Sequence, residues 1–336
     1  MQRIKTITPG RSRLDVSRIL AGSLLILAVF LTAGSGSALG QAKVGTTGAQ
    51  FLEIGVSPRA MGMGEAFAAV VNDASAVYYN PAGLTSLLGP EAMVSWISMP
   101  ADINYFFLSG AMPMESAGGV LGVGVYSFNS GPIDETTYGH GVVDNNHGYN
   151  GTGRDFYANS FAATIGYGRY LTDRFSVGLT LRYIGMYYHD FTANGWSADV
   201  GTMYDSGYRG FKLAMVISNF GPDLKFVQKP APLPINFRFG GAINVLEKGD
   251  HYLTFAAEGG HPSDNLEKYN VGLEYTFKDM LVLRVGDRMN YDTDGLTFGA
   301  GLRIPFGKQG ELKFDYSYQD FGILTNVPRY SLGVAF

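Results

Sequence analysis

This chain of 336 residues contains no cysteine and few charged residues. Asp, Glu, Lys and Arg together make up 16% of it. The absence of Cys excludes disulfides, thiolate metal sites, a cysteine nucleophile and a lipid-modified cysteine at the mature N-terminus. The formal net charge is −4, so no basic field favours nucleic acid as a partner.

Glycine and aromatic residues are abundant, with 46 Gly, 21 Tyr and 22 Phe. Few charges together with many aromatic residues are unusual for a soluble enzyme. The combination is typical of a β protein with a large apolar outer surface.

The N-terminus, residues 1–40, has the pattern of a secretory signal peptide. The apolar run ILAGSLLILAVFLTA is followed by small residues at Ala38 and Gly40, which suit cleavage before Gln41. A transmembrane anchor is the alternative, but the run is short for one. No later stretch is apolar enough to span a membrane as a helix, so we expect the periplasm, the exterior or an outer membrane. The basic residues before the run are Arg3, Lys5, Arg11, Arg13 and Arg18.

From Glu91 to the C-terminus, apolar and polar residues alternate along the chain. In ELKFDYSYQD, for example, Leu312, Phe314 and Tyr316 alternate with Lys313 and Asp315. Such strict alternation predicts β-strands with one apolar and one polar face. We predict fourteen strands, at residues 91–98, 103–112, 118–128, 156–170, 174–188, 195–204, 210–220, 235–246, 251–259, 268–277, 280–289, 295–306, 311–319 and 329–336.

The connections between these strands alternate between longer and shorter ones. An even number of strands with this alternation is typical of an outer-membrane barrel, with long loops outside and tight turns in the periplasm. A soluble β-sandwich or a propeller predicts neither the alternating loop lengths nor aromatic residues on nearly every apolar face. We therefore predict an all-β fold, a fourteen-stranded antiparallel transmembrane β-barrel at residues 91–336, surrounded by lipid of the cell outer membrane.

The last predicted strand, YSLGVAF, ends in an aromatic residue at the C-terminus. Its apolar face carries Tyr330, Leu332, Val334 and Phe336. An alternating final strand with a terminal aromatic residue resembles the signal that the barrel-assembly machinery reads. We predict that these four residues are that assembly signal and that the machinery is a partner.

No motif indicates an enzyme, a cofactor or a metal site. The stretch GMGEAF contains Gly62 and Gly64 but has Phe67 in place of the third glycine of a dinucleotide-binding motif. No Ser-His-Asp or paired-carboxylate arrangement stands out. His140 and His147 lie in a Gly- and Asn-rich loop without metal-ligand spacing.

The polar faces of the predicted strands carry charges of both signs. Because the signs are mixed on neighbouring strands, we expect ion pairs inside the lumen that specify no ligand. The alternative is a polar conduit or a ligand pocket. The residues concerned are Arg174, Arg182, Asp199, Lys212, Arg238, Glu258, Glu274, Arg284, Arg303, Lys313 and Asp315.

Residues 41–90 are rich in Gly and Ala and do not alternate. Their stretches FLEIGVSPRAMGMGEAF and NDASAVYYNPAGL, with the later VGLTLRY, SADVGTMY, VISNFGP and PLPINFRFGGA, resemble the PorV/PorQ family, within the larger FadL-like group of outer-membrane proteins. The resemblance spans nearly the whole mature chain. It implies a fourteen-stranded barrel whose N-terminal segment is a hatch inside the lumen, and we place this segment on the periplasmic side, before the first strand.

Small residues suit a hatch for physical reasons. Glycine lets the backbone approach the barrel wall closely. Asp and Asn side chains can accept hydrogen bonds where the chain turns, and a proline restricts the preceding residue to extended geometry. The predicted hatch motif is Gly62, Gly64, Asp73, Asn80, Pro81 and Ala82.

The resemblance implies two possible functions. PorV-like members act in type IX secretion, where they bind the C-terminal domains of exported cargo proteins and deliver the cargo. FadL-like members carry hydrophobic small molecules across the outer membrane. The stretch SPRAMGMGEAF favours PorV/PorQ, so we expect a role in type IX protein secretion, with the transporter as the alternative. Loops 129–155 and 221–234 are the candidate surfaces for cargo C-terminal domains or other secretion-system components.

Overall fold

The structure is a computed structural model that describes residues 44–137, 150–291, 295–307 and 310–336. The predicted signal peptide and the loop histidines His140 and His147 lie outside the described residues. Within the described part of the chain, no helix is both long enough and apolar enough to cross a membrane.

Fourteen antiparallel strands of the described residues form one closed barrel, which confirms the predicted fold class. The wall closes where the first strand pairs with the last, Glu91 opposite Ala335. Two short hairpins, β4–β5 and β10–β11 below, are additional to the wall. The strands are β1 (Glu91–Ser98), β2 (Asn104–Met114), β3 (Gly119–Asn129), β4 (Ile133–Thr137), β5 (Asn150–Phe156), β6 (Ala158–Thr172), β7 (Phe175–Tyr188), β8 (Phe191–Asp205), β9 (Lys212–Phe220), β10 (Leu224–Lys225), β11 (Pro230–Ala231), β12 (Asn236–Lys248), β13 (His251–Pro262), β14 (Lys268–Phe277), β15 (Leu281–Met289), β16 (Leu296–Phe306), β17 (Gly310–Asp320) and β18 (Asn326–Ala335).

The two faces of the wall differ as the alternation predicts. In β17, Phe314 and Tyr316 are exposed on the outside, whereas Asp315 and Ser317 are buried towards the lumen. An outside surface of this kind is stable only in a surrounding that is itself apolar, because water would oppose the exposure of so much apolar area.

A row of aromatic residues crosses the outside of four neighbouring strands, β2, β1, β18 and β17. In the strand register Trp96 lies opposite Tyr330 on one side and Phe106 on the other, and Tyr330 lies opposite Tyr316. Trp and Tyr favour the boundary between lipid and water because their rings are apolar and carry one polar group.

The two long connections of the wall lie at the same end of the barrel, the long-loop end, opposite the short-turn end. At the short-turn end, β14 and β15 are joined through Lys278 and Asp279, which both have positive φ (53° and 54°), as a tight hairpin turn requires. At the long-loop end, residues 130–157 connect β3 to β6 and residues 221–235 connect β9 to β12. The other five connections at this end have two to six residues. The shortest joins β7 to β8, because β8 begins at Phe191, before the predicted start of that strand at residue 195.

The N-terminal segment, residues 44–90, precedes the wall and packs against its inner face. It forms four short helical turns, at Gln50–Glu53, Pro58–Gly62, Ala76–Tyr79 and Pro81–Ser86. Prolines begin two of these turns, since Pro58 and Pro81 occupy first-turn positions where no amide hydrogen is needed. Most of the segment's residues are buried, so it fills the lumen as a second, mainly non-β layer.

The segment passes through the lumen from one end to the other. Its beginning lies at the long-loop end, where the Gly48 amide donates to the Pro232 carbonyl oxygen at 2.8 Å. Its end lies at the short-turn end, where the Phe336 amide donates to the Pro90 carbonyl oxygen at 2.9 Å. The prediction that the segment lies on the periplasmic side is therefore wrong for its first residues. Sequence order places a segment before a strand but does not say how far it reaches along the lumen.

Candidate functional site

The contact between the N-terminal segment and the wall has an ionic side on β14, β15, β16 and β17. Arg59 of the segment makes a bidentate pair with Glu274, through Nη2–Oε1 at 2.8 Å and Nε–Oε2 at 2.9 Å. Glu274 also contacts Arg284 at 2.6 Å, and Arg284 reaches Asp315 at 2.8 Å. Asp315 in turn pairs with Arg303 at 2.9 Å. Charges of opposite sign thus alternate from the segment into the wall, which is the arrangement in which buried ions tolerate the loss of water.

Other charges expected on the inner face also find partners. Arg182 pairs with Asp199 at 2.6 Å, and Lys313 pairs with Glu91 at 2.8 Å. Arg174 differs, because it is exposed at the short-turn end and donates to the Ser206 carbonyl oxygen.

Wall carboxylates also receive backbone amides of the segment. Glu258, which pairs with Arg238 at 3.3 Å, accepts the amides of Phe67 and Ala68 at 3.1 and 2.8 Å. A charged acceptor shared by two amides satisfies donors of an irregular segment that has no helix or strand partner for them.

The Asn-Pro pair of the predicted hatch motif is fully enclosed. Asn80 is extended (φ −159°, ψ 105°), and its Oδ1 accepts the Ala82 amide at 3.0 Å. Its Nδ2 donates to the carbonyl oxygens of Ala68 at 2.9 Å and Thr202 at 3.3 Å. Pro81 begins the turn that follows. One side chain therefore joins two parts of the segment to β8.

Asp73 and Ala82 lie at turns of the segment. Asp73 Oδ1 accepts the Ser75 amide at 2.9 Å, and its Oδ2 pairs with Arg59 at 3.2 Å. The Ala82 carbonyl oxygen accepts the Ser176 hydroxyl of β7 at 3.3 Å.

The two glycines of the predicted motif touch the wall backbone to backbone. A Cβ placed on Gly62 would lie 2.9 Å from the Cα of Gly299. Gly64 has φ +61°, and a Cβ there would lie 2.8 Å from backbone atoms of Asp287 and Val271. Gly64 has both restrictions, and at Gly62 the close approach of the wall backbone alone leaves no room for a side chain.

The wall also supplies glycines to the same contact, which was not predicted from the sequence. A Cβ on Gly286 would lie 2.1 Å from the Gly64 nitrogen, and one on Gly201 would lie 2.1 Å from Asn80 Oδ1. The available signal was glycine at polar-face positions of the strands, where a barrel without an internal segment has no need of it.

The opposite part of the contact is an aromatic side formed by Phe51, Tyr78, Tyr105, Phe107 and Tyr126. The last three belong to β2 and β3, point into the lumen and are fully buried. The Tyr78 ring lies 5.6 Å from that of Tyr126, and the Phe51 ring lies 6.2 Å from it. These rings were not predicted from the sequence. The signal was the loss of alternation in NYFFLSG, where both faces of β2 are apolar.

Polar clefts remain at both ends of the segment. The short-turn cleft has a volume of about 240 Å³ and is lined by Arg59, Glu91 and Lys313, among others. The long-loop cleft, of about 90 Å³, is lined by residues that include Glu53 and Asn270. Both volumes exceed that of a single water molecule.

Glu53 is a carboxyl group of the segment that lines the long-loop cleft, as Glu65 does. Burial raises its pKa to about 7, and the Asp264 and Glu65 carboxylates also raise the pKa, while Lys268 and Arg238 lower it. A carboxyl group in this environment changes its charge near neutral pH.

The four residues of the predicted assembly signal lie in or just beyond β18. Tyr330, Leu332 and Phe336 are exposed on the outside of the barrel, and Val334 is half-buried. Their recognition by the assembly machinery stays a prediction. Among the described residues, no group of three or more His, Asp or Glu side chains is arranged to hold a metal ion.

No protein-family model matches the chain, and no curated protein matches it in sequence. Solved structures do match. The Ralstonia pickettii toluene transporter TbuX has a TM-score of 0.57 and 14% identity, over 84% of this chain and 97% of that chain. The Pseudomonas putida toluene transporter TodX has a TM-score of 0.56 and 11% identity, over 82% and 96%. A Pseudomonas aeruginosa FadL homologue has a TM-score of 0.53 and 11% identity, over 84% and 98%.

At these identities the likeness concerns the fold, a closed barrel that this chain shares with the three matched proteins. The apolar outside of the barrel agrees with it, and the predicted outer-membrane location is confirmed. The long-loop end of such a barrel faces the cell exterior. The finer resemblance to PorV/PorQ stays a prediction.

Proposed function

We propose that the protein carries small hydrophobic molecules across the outer membrane, and that the N-terminal segment is the hatch that closes its lumen. The observation that supports this most is the aromatic side, where five rings of the segment and wall pack together inside the barrel. An apolar solute gains free energy when it exchanges water for such a surface. The toluene transporters TbuX and TodX share the fold, which favours the same class of solute.

The two sides of the segment differ in what a solute can replace. On the ionic side Arg59 pairs with two carboxylates, those of Asp73 and Glu274. An apolar solute that separated these ions could make neither an ion pair nor a hydrogen bond with them, so they would stay buried without a partner. On the aromatic side, the hydrogen bond from the Tyr105 hydroxyl to the Phe51 carbonyl oxygen at 3.1 Å joins the wall to the segment beside the ring contacts. The Tyr78 hydroxyl, in contrast, donates to carbonyl oxygens of the segment itself, those of Leu52 and Ile54. An apolar solute can replace ring contacts. We therefore infer that the passage opens between the segment and strands β2 and β3.

A reversible crosslink between the segment and β3 tests this proposal. The Cβ of Val77 lies 3.4 Å from a Cβ built on Gly122, close to the spacing found in disulfides. The chain has no Cys of its own, so a Val77→Cys/Gly122→Cys variant forms one defined bond. The assay is uptake of labelled toluene by intact cells that lack the native gene and carry the variant.

We expect uptake at the wild-type rate with the pair reduced, and at the rate of the deletion strain with the pair oxidised. Each single cysteine variant, treated with the same oxidant, is the control for oxidation damage. Equal uptake by oxidised and reduced cells contradicts an opening on this side. Equal uptake by the wild-type and deletion strains contradicts the transport of toluene itself.

A role in type IX protein secretion is the second candidate, and a different feature favours it. The loop between β3 and β6 carries the β4–β5 hairpin, which contacts the β7–β8 turn through His189. His189 Nε2 lies 3.5 Å from Glu135 Oε1, and its ring lies 5.4 Å from that of Phe156. The hairpin offers a protein-binding surface at the long-loop end that does not depend on the lumen. The stretch SPRAMGMGEAF, which resembles PorV/PorQ, points to the same role.

Comparison of secreted proteins tests the second candidate. We expect a deletion strain to lose cargo proteins with the sorting C-terminal domain from its surface and medium. Purified protein should retain such domains, and a variant with residues 133–156 replaced by a Gly-Ser linker should not. An unchanged set of secreted proteins in the deletion strain would exclude this role.

A further inference from the structure

The first described residues of the segment contact two separate loops at the long-loop end. Gln50 Nε2 donates to Asp264 Oδ2 at 2.6 Å, and the Thr47 hydroxyl donates to the same oxygen. Gly48 contacts the loop between β9 and β12, with its amide bonded to the Pro232 carbonyl oxygen. A Cβ on Gly48 would lie 3.3 Å from the Cβ of Ala231. Residues 44–50, called the latch here, thus contact two loops that are well separated in sequence.

The segment is therefore held at both ends of the barrel. At the short-turn end the segment continues covalently into β1. The Pro90 carbonyl oxygen there also accepts a hydrogen bond from the Phe336 amide. At the long-loop end the latch contacts described above hold it without any covalent link. A segment held in this way cannot swing towards the periplasm as a hinged door unless the latch first comes away from the loops.

The contact between Asp264 and the latch is built in a way that favours its release. Its side chain is buried, and its Oδ2 receives two donors of the latch, whereas its Oδ1 is enclosed without a hydrogen-bond partner among the described residues. A buried carboxylate oxygen without a partner costs free energy. Release of the latch admits water to that oxygen. The free energy gained by its hydration offsets part of the free energy lost with the two hydrogen bonds.

We propose that the latch is displayed at the cell exterior and that its release from Asp264, Ala231 and Pro232 is the step that frees the segment. Control of the lumen therefore lies on the exterior side of the membrane. The link between release and transport rests on the proposed function, whereas the position and the release of the latch do not.

Thiol labelling tests the position of the latch without any transport assay. Val44 is 63% exposed at the long-loop end, and Leu88 is fully exposed at the short-turn end. We expect a membrane-impermeant maleimide to label a Val44→Cys variant on intact cells. The Leu88→Cys variant, the matched control, should react only after the outer membrane is permeabilised. If Val44→Cys also needs permeabilisation, the proposed position is wrong.

The rate of labelling tests release. The thiol of a Gly48→Cys variant should react slowly with the maleimide while it faces Ala231. Removal of the Asp264 carboxylate should release the latch and expose this thiol. Because the variant loses both hydrogen bonds that the Asp264 side chain accepts from the latch, we expect Asp264→Ala to speed labelling of Gly48→Cys at least about tenfold. Asp320→Ala, at another long-loop connection, is the control. An unchanged rate in the Asp264→Ala background would overturn the proposal that this contact holds the latch.

A Gly48→Cys/Ala231→Cys variant, whose disulfide would hold the latch in place, tests whether transport requires release of the latch. We expect oxidation to reduce toluene uptake to the rate of the deletion strain, and a reductant to restore it, with each single variant unaffected. Uptake that continues through the oxidised pair overturns the link between release and transport. If wild-type cells take up no more toluene than the deletion strain, the proposed function fails, and the two labelling experiments still decide the position and release of the latch.

Discussion

Gly62 of the N-terminal segment and Gly299 of β16 meet backbone to backbone inside the barrel. A Cβ on Gly299 would lie 3.0 Å from the Gly62 Cα and 3.2 Å from the Arg284 Cβ. Neither neighbour is the flexible end of a side chain, so neither can move aside at low cost. The pair brings the segment close enough to the wall for Arg59 to reach Glu274.

We expect Gly299→Ala to loosen the segment. Overpacking a tight contact costs about 1–3 kcal/mol, and here the cost falls on the docked segment because the strand is held on both sides by its ladder. Limited proteolysis within residues 44–90 should become faster, while the barrel keeps its β-sheet circular dichroism. Gly259→Ala is the control, because a Cβ there meets its nearest atom at 3.8 Å. Equal proteolysis of Gly299→Ala and wild type would show that the contact is less tight than described.

We expect Arg59→Met to destabilise the docked segment more than any exposed charge substitution. Removal of one partner from a buried ion pair costs about 3–5 kcal/mol, because the remaining carboxylates stay desolvated. The Arg59 side chain is 14% exposed and that of Glu274 is 10% exposed. A double-mutant cycle with Glu274→Gln, read by proteolysis of the segment, isolates the coupling between the two residues.

The surface pair Arg154–Glu135 provides the control for this cycle. The Arg154 side chain is 82% exposed, and exposed ion pairs contribute about 0–1 kcal/mol. Arg154→Met should therefore leave the proteolysis rate unchanged. A coupling between Arg59 and Glu274 as small as that of the surface pair would contradict the proposed ionic attachment.

We expect the long-loop end of the docked segment, which includes the latch and Glu53, to be held more weakly at high pH. Glu53 has a pKa of about 7 in the docked state, above its ordinary 4.5, so the docked state retains the proton more tightly. Both states are protonated below pH 4.5. As the pH rises from 4.5 to 7 the docked state loses stability relative to the released one, by at most about 3 kcal/mol, and this loss persists above pH 7.

Labelling of Gly48→Cys at pH 6 and pH 8 measures this effect, after correction for the intrinsic reactivity of the thiol. Labelling should be faster at pH 8, and Glu53→Gln should remove the difference. Glu115→Gln, at an exposed turn of the short-turn end, is the control. A pH dependence that survives Glu53→Gln would assign the effect to another group.

The wall could be predicted from the sequence because its pattern is local. In a strand, successive side chains point to opposite faces, so a lipid-facing wall leaves a period of two in the sequence. β1 and β14 have the predicted limits, and the other twelve differ by a few residues at their ends. The main exceptions are explained by the lumen: where the segment covers β2, as at Tyr105 and Phe107, the inner face is apolar and the period fades.

The sequence by itself determined that there is a barrel of fourteen strands and a small-residue segment before it. Only the tertiary structure decided where the segment runs, that Arg59 meets Glu274 and that Gln50 meets Asp264 at the long-loop end. These pairs are separated by more than 200 residues along the chain. No period or spacing records such a contact, because it depends on how the closed wall and the enclosed segment fit together in space.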